Sequence, residues 1–417
     1  MSEKTTKKII KKPNPFLYYL ASLIIAPYLK FKLHTSYDRS GIRDIETPSI
    51  VVCPHVSNID FLLVAVALFP HRPTFVVSQH FMAKPKIRRI LEIMHVIPKK
   101  MFCPDVKTIL NIMRAKESGN IIVIFPEGRL SCFGHSLQVT DGTAELIKKL
   151  GVSVYTICEN GAYKTLPKWG KAGARPGRIE VTSAKLIDSS DLVNMTVDEI
   201  NAVLDQAILH DEDGLFTDVT YKCKAPALGL DGILYKCPEC LSEFETVSDD
   251  HSITCRRCGF TAELDEKYRL RCLPSSEAGT GSEGTAVKCF ERINDWFFWQ
   301  EETVDLDTPL ETDCLVGTTD SDGYMDMKAG QGHITMDREN IHFVGTCYGE
   351  SLQFTESTSI IKGFPASVGS HIDIYHKKQL YYIKPQPDPR TVIKWVAYLD
   401  KLTKEKKEAA VLRCSLH

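Results

Sequence analysis

The sequence lacks the features of a secreted or membrane-spanning chain. Its apolar run at residues 16–29 would reach only about 21 Å as a helix, short of the ~30 Å hydrocarbon core, and it contains Pro27. No small-residue cleavage site accompanies it, which argues against a secretory leader. Neither sign of charge dominates: 51 Lys plus Arg face 53 Asp plus Glu, net −2, so no nucleic-acid partner is expected. Fourteen cysteines in 417 residues are too sparse for a small disulfide-stapled fold, and a reducing, cytosolic setting is expected. There is no GxSxG nucleophile motif and no internal repeat. With 43% hydrophobic and 25% charged residues the chain is not disordered, and its length suits two or three domains.

What is present begins with Lys4, Lys7, Lys8, Lys11 and Lys12, directly ahead of the apolar run. Basic residues beside an apolar helix suit an anionic membrane surface, each Lys contributing about 1 kcal/mol, so residues 1–30 read as a surface-binding segment. Strands are expected at 50–53, 74–78, 121–125 and 152–157, and helices at 59–69, 106–116 and 142–150. That alternation predicts an α/β domain over 31–215. Short strands around paired cysteines mark a small zinc ribbon over 216–272, and the Gly/Ser-rich stretch 273–286 a flexible linker. Residues 287–417 read as a β-rich α+β domain. A helix at 290–300 carries Trp296, Phe297, Phe298 and Trp299 as a core stripe, five short strands follow, and an amphipathic helix bears Val392, Trp395, Val396, Leu399 and Leu402. This last module is weakly similar to a pleckstrin-homology or GRAM-like barrel.

Two segments carry chemistry. In Pro54-His55-Val56-Ser57-Asn58-Ile59-Asp60, a loop histidine and an aspartate in the first helical turn can meet, with Ser57 as the expected N-cap. A carboxylate on one ring nitrogen fixes the tautomer and leaves the other free to accept a proton, the arrangement of a general base. In Phe125-Pro126-Glu127-Gly128-Arg129-Leu130-Ser131, a carboxylate and a guanidinium emerge at the carboxyl end of a buried strand, where open α/β sheets place their ligands. Gly128 allows a tight turn.

These two blocks, in this order, resemble the glycerophospholipid acyltransferase family (1-acyl-sn-glycerol-3-phosphate acyltransferase-like). Ile97-Pro98-Lys99-Lys100 stands where that family has a phosphate-binding block ending in Arg, and Val152-Ser153-Val154 with Glu159-Asn160-Gly161-Ala162 resembles its last block. The resemblance spans roughly residues 15–210. It implies direct transfer of a fatty acyl group from acyl-CoA or acyl carrier protein to the free hydroxyl of a lysophospholipid, lysophosphatidate first, at the cytoplasmic face of a membrane. His55 would be the base and Asp60 its orienting partner; Glu127 would position the glycerol part, Gly128 would let the backbone approach the bound substrate, and Lys99, Lys100 and Arg129 would position the phosphate. The FPEGR form also resembles enzymes that re-acylate lysophosphatidylethanolamine. A different class stays open: a non-catalytic zinc-ribbon adaptor on an acyltransferase scaffold.

Cys237 and Cys240 form one CxxC pair and Cys255 and Cys258 a second, with fourteen residues between. Four thiolates in two such turns predict a closed tetrahedral zinc site of structural kind, with Gly259 easing the second turn. The other ten cysteines are scattered singly.

Overall fold

The computed structural model describes residues 9–273 and 288–414. Lys4, Lys7, Lys8 and all of the expected linker after Leu273 lie outside the described residues. The chain divides into two compact bodies: one of residues up to 166 with Pro176–Phe216, the other of Pro167–Arg175 with everything from 217 on.

The first body is an α/β layer structure. Its strands are β1 (Thr35–Tyr37), β2 (Ser49–Val52), β3 (Thr74–Ser78), β4 (Ile97–Lys99), β5 (Ile121–Ile124), β6 (Val154–Asn160) and β7 (Ile179–Ile187). They form one sheet in the order β1-β7-β6-β2-β5-β3-β4. The five strands from β6 to β4 run parallel, and β7 is antiparallel to β6. β2 and β5 are wholly buried and, Ser49 apart, consist of Ile and Val, as expected for strands covered on both faces.

The helices are α1 (Pro15–Pro27), α2 (Asp60–Ala67), α3 (Pro85–Ile93), α4 (Val106–Glu117), α5 (Thr143–Leu150), the single turns α6 (Ala162–Thr165) and α7 (Ser189–Leu192), and α8 (Val197–Ile208). The crossovers from β2 to β3 and from β3 to β4 step along the sheet in one direction, so right-handed connections put α2 and α3 on one face. The next two crossovers step back and put α4 and α5 on the other. There Ile112, Ala115, Ala144, Ile147, Ile200 and Leu204 join Ile50, Val52, Ile122 and Ile124 in one core. α1 is tied to the α2 side by Tyr18 Oη donating to Ala65 O (2.8 Å). Among the described residues, no helix is long and apolar enough to cross a membrane.

The expected elements are found within a few residues of their predicted ends. The differences are α3, β1, β4, β7 and α8, which the alternation did not reveal. α3 buries none of its residues, and its short apolar face interrupts the expected strand–helix rhythm.

In the second body, β8 (Thr246–Ser248), β9 (Ser252–Cys255), β10 (Thr261–Leu264) and β11 (Leu270–Leu273) form an antiparallel sheet around the paired cysteines. Cys272 and Cys289 form a disulfide, with Cα atoms 6.0 Å apart. This corrects the reading of both as single thiols: they flank the Gly/Ser-rich stretch, and their spacing gives no hint of pairing. α9 (Ile293–Glu302) follows, and its Trp296 and Phe297 are buried core residues; the Trp296 ring N–H donates to Lys236 O (2.9 Å).

The C-terminal strands are β12 (Leu310–Thr319), β13 (Met325–Met336), β14 (Asn340–Cys347), β15 (Glu350–Ser357), β16 (Ala366–Ser367), β17 (His371–His376) and β18 (Gln379–Pro385). They make an antiparallel sheet in the order β15-β14-β13-β12-β18-β17-β16, the first strand pairing with the last. α10 (Val392–Cys414) packs Val392, Trp395, Val396, Leu399 and Leu402 into its core. Arg390 binds Asp231 and the carbonyls of Phe244 and Thr246, tying this module to the cysteine region within the second body.

Candidate active site

β2 and β5 are neighbours, with Val52 paired to Ile124. His55 and Glu127 each follow those paired ends by three residues, so the register alone brings both loops to the same edge of the sheet. Contact follows: the His55 amide donates to Glu127 Oε1 (2.7 Å), and the Ser131 amide donates back to His55 O (2.8 Å). The histidine backbone is therefore clamped on both sides by the Glu-Gly loop.

The imidazole is oriented from its own loop. Its Nδ1 lies 2.9 Å from Asp60 Oδ2, which also accepts the amides of Val56 (2.9 Å) and Ser57 (2.8 Å). Three donors on one oxygen fix Asp60 where it starts α2. The ring stacks on Phe125, centroids 4.4 Å apart. Asp60 is fully buried while the His55 side chain keeps 27% of its surface exposed. Burial pushes the Asp60 carboxyl above its ordinary range, and the His55 contact and the amide donors pull it back. With Nδ1 held by the carboxylate, Nε2 is the ring position left for proton transfer.

Ser57 does not cap α2 as expected. Its hydroxyl donates to Leu166 O (2.9 Å), and the N-cap position falls to Ile59 without a side-chain bond. Asp60, at the first position of α2, reaches back to the amides of Val56 and Ser57 and so fixes the loop before the helix rather than capping the helix itself.

Glu127 also differs from expectation. It is 2% exposed, and its second oxygen accepts the Leu137 amide (2.6 Å). Both oxygens are thus engaged by backbone rather than turned to a ligand hydroxyl. Burial pushes its carboxyl up to about 8, against the pull of the Leu137 and His55 amides. Gly128 makes the expected tight turn, with φ +76°; a Cβ there would lie 2.9 Å from Thr140 Cγ2 and 3.3 Å from Met101 and Phe102. Those contacts place the segment after Lys99 and Lys100 against the Glu-Gly turn. Lys99 ends β4, in register with Ser78, and is half-buried, and burial lowers its ammonium. The Lys100 amide caps onto Asp105 (2.9 Å), and Arg129 is half-buried.

Sequence reasoning gave Glu159 no role. It lies on β6, parallel to β2 with Val52 paired to Thr156, so it stands three residues past that pair, as His55 does. It is 0% exposed, and burial followed by the charge of Asp60 raises its carboxyl well above the ordinary range. The signal was present in the sequence as the one carboxylate in the mostly apolar strand Val154–Asn160.

Residues 34–159 match the Acyltransferase family model, a span that contains every one of these groups. The chain carries an acyltransferase-family domain. The structure is also similar to that of the 1-acyl-sn-glycerophosphate (LPA) acyltransferase PlsC from Thermotoga maritima, at 17% identity and a TM-score of 0.39, covering 46% of this chain and 78% of that one.

Outside the acyltransferase domain, the sulfurs of Cys237, Cys240, Cys255 and Cys258 all lie within 4.8 Å of one another. Cys237 to Cys258 is 3.6 Å and Cys240 to Cys255 is 3.7 Å. A tetrahedron with metal–sulfur bonds of about 2.3 Å has edges near 3.8 Å, so the four thiols fit a zinc ion. Ser242 Oγ lies 3.0 Å from the Cys240 sulfur, within reach to donate to a thiolate.

Proposed function

We propose that the domain transfers a fatty acyl group from acyl-CoA or acyl carrier protein to the free hydroxyl of a lysophospholipid, with lysophosphatidate as the first acceptor and phosphatidate as product. The observation that carries this reading is the His55–Asp60 contact, with the imidazole partly open to solvent and its backbone clamped by Glu127 and Ser131. In the step, His55 Nε2 takes the acceptor's hydroxyl proton as its oxygen attacks the thioester carbonyl. The C–S bond then breaks, and the departing thiolate takes the proton back from His55. No covalent acyl-enzyme is required. Lys99, Lys100 and Arg129 supply positive charge for the phosphate. Glu127 serves by holding the His55 and Leu137 loops, and Gly128 by permitting the turn.

The same reading places the protein peripherally on an anionic membrane surface, at its cytoplasmic face. Phe16, Leu23, Ile24 and Phe31 in and after α1 are each about 70% exposed, and Lys30 and Lys32 are exposed beside them. α3 adds a second such helix on the same side of the sheet as α2: Ile87 and Ile90 are exposed beside Lys86 and Arg89. Apolar faces flanked by basic side chains suit lipid rather than water. We assign zinc to the four-cysteine site, with a structural role because protein supplies all four ligands.

Purified protein offered lysophosphatidate and lysophosphatidylethanolamine, each with acyl-CoA and acyl carrier protein, should yield phosphatidate by mass spectrometry. His55→Ala should lower the rate by about 10²–10⁴. Undiminished turnover in that variant removes the base, and lipid binding without turnover across both donors favours the adaptor. Sedimentation with anionic vesicles should retain the chain, and Leu23→Glu with Ile90→Glu should release it.

A further inference from the structure

Asp60 and Glu159 are both fully buried, and the charge of the first acts on the second, but they differ in partners. Asp60 receives three donors on Oδ2 and none on Oδ1. Glu159 has no solvent exposure, and neither of its oxygens meets a hydrogen-bond partner. The titratable groups acting on it are Asp60 from α2, Cys158 beside it on β6, and Glu127 from the loop after β5, all raising its carboxyl, while its own backbone amide acts the other way. In turn it acts on Cys53 after β2 and on Tyr37 on β1. An ionised carboxylate there would be opposed by Asp60, Cys158 and Glu127 and by its burial, with its own backbone amide in support, whereas a neutral acid has one proton to donate. The acceptor that needs a donor is Asp60 Oδ1.

We propose that Glu159 is a positioning residue for the His55–Asp60 pair: as a neutral carboxylic acid it donates its O–H toward Asp60 Oδ1, which stabilises the buried carboxylate and moderates the charge that its other oxygen presents to the imidazole. The chain of groups is then Glu159 to Asp60 to His55, with β6, α2 and the β2 loop each contributing one member. This rests on the acyl-transfer reading only for its consequence in turnover; the hydrogen-bond order stands apart from it. Glu159→Gln keeps a neutral donor, and Glu159→Leu removes it.

The test uses full-length protein, with thermal melts confirming that each variant folds. Infrared difference spectra at neutral pH should lose one protonated carboxylic acid band in Glu159→Gln and keep the separate band of Glu127, which Glu127→Gln removes. Histidine-labelled NMR should give His55 the same titration midpoint in wild type and Glu159→Gln, and a midpoint raised by a measurable fraction of a pH unit in Glu159→Leu. The acid limb of the rate profile, where turnover is found, should move in the same way. A Glu159→Gln midpoint falling well below wild type would mean that Glu159 is ionised and overturns the proposal. So would identical midpoints in all three proteins. Failure of turnover with these NMR and infrared results intact would count against acyl transfer alone.

Discussion

The two candidate centres of this chain are built on opposite principles. The four cysteines lie in two short turns within 22 residues of sequence, so spacing alone brings their sulfurs together. His55 and Glu127 are 72 residues apart and meet because β2 and β5 are paired in register. A local site needs little fold to form once its metal binds, and a strand-end site needs the whole sheet. Within the cysteine site the two knuckles repeat this contrast on a smaller scale. Gly259, after Cys258, has φ +78°, and Leu241, after Cys240, is driven to φ +59° without glycine's freedom.

Metal removal is the strongest way to separate the two centres. A chelator should strip one zinc per chain, a loss on the order of 10 kcal/mol of binding energy. Hydrogen exchange should then rise in β8–β11 while β2 and β5 stay protected; equal loss in both would end the contrast. Next comes the buried clamp. The folded value of Glu127, about 8, lies above its ordinary 4.5, so the folded chain holds that proton more tightly than the unfolded one. The associated stability is complete below about 4.5 and is lost as pH rises through 8. Urea midpoints across that window should fall with pH in wild type and flatten in Glu127→Gln. Gly128→Ala comes third, costing about 1–2 kcal/mol for the left-handed backbone, read from the same denaturation curves. The smallest effect is Leu241→Gly, which should be neutral or stabilising by up to about 1 kcal/mol, because relief of φ strain offsets the added chain entropy. A clear loss there would make the two knuckles less alike than their backbones imply.

Much of the first body was legible in the sequence because buried Ile/Val runs alternate with apolar helices at regular spacing. The His55–Asp60 contact was legible for a related reason: a loop residue and a first-turn residue have few ways to avoid each other. The work done by Glu127 was not. A Pro-Glu-Gly turn says where a carboxylate emerges, but not that two amides from separate loops will take both of its oxygens. Ser57 misled because N-cap preference is local, whereas the hydroxyl found a distant carbonyl at Leu166. Glu159 was named only as part of a block and given no role, because its meaning lies in what β6 sits beside, and strand order is not written in any one strand.

The paired ends of β2 and β5 also make their two loops a single inherited part. Transplanting the His55 loop alone into a relative, without its partner from the neighbouring strand, would deliver an imidazole with no anchor for its amide. Chimeras that exchange both segments together should keep their chemistry where single swaps do not.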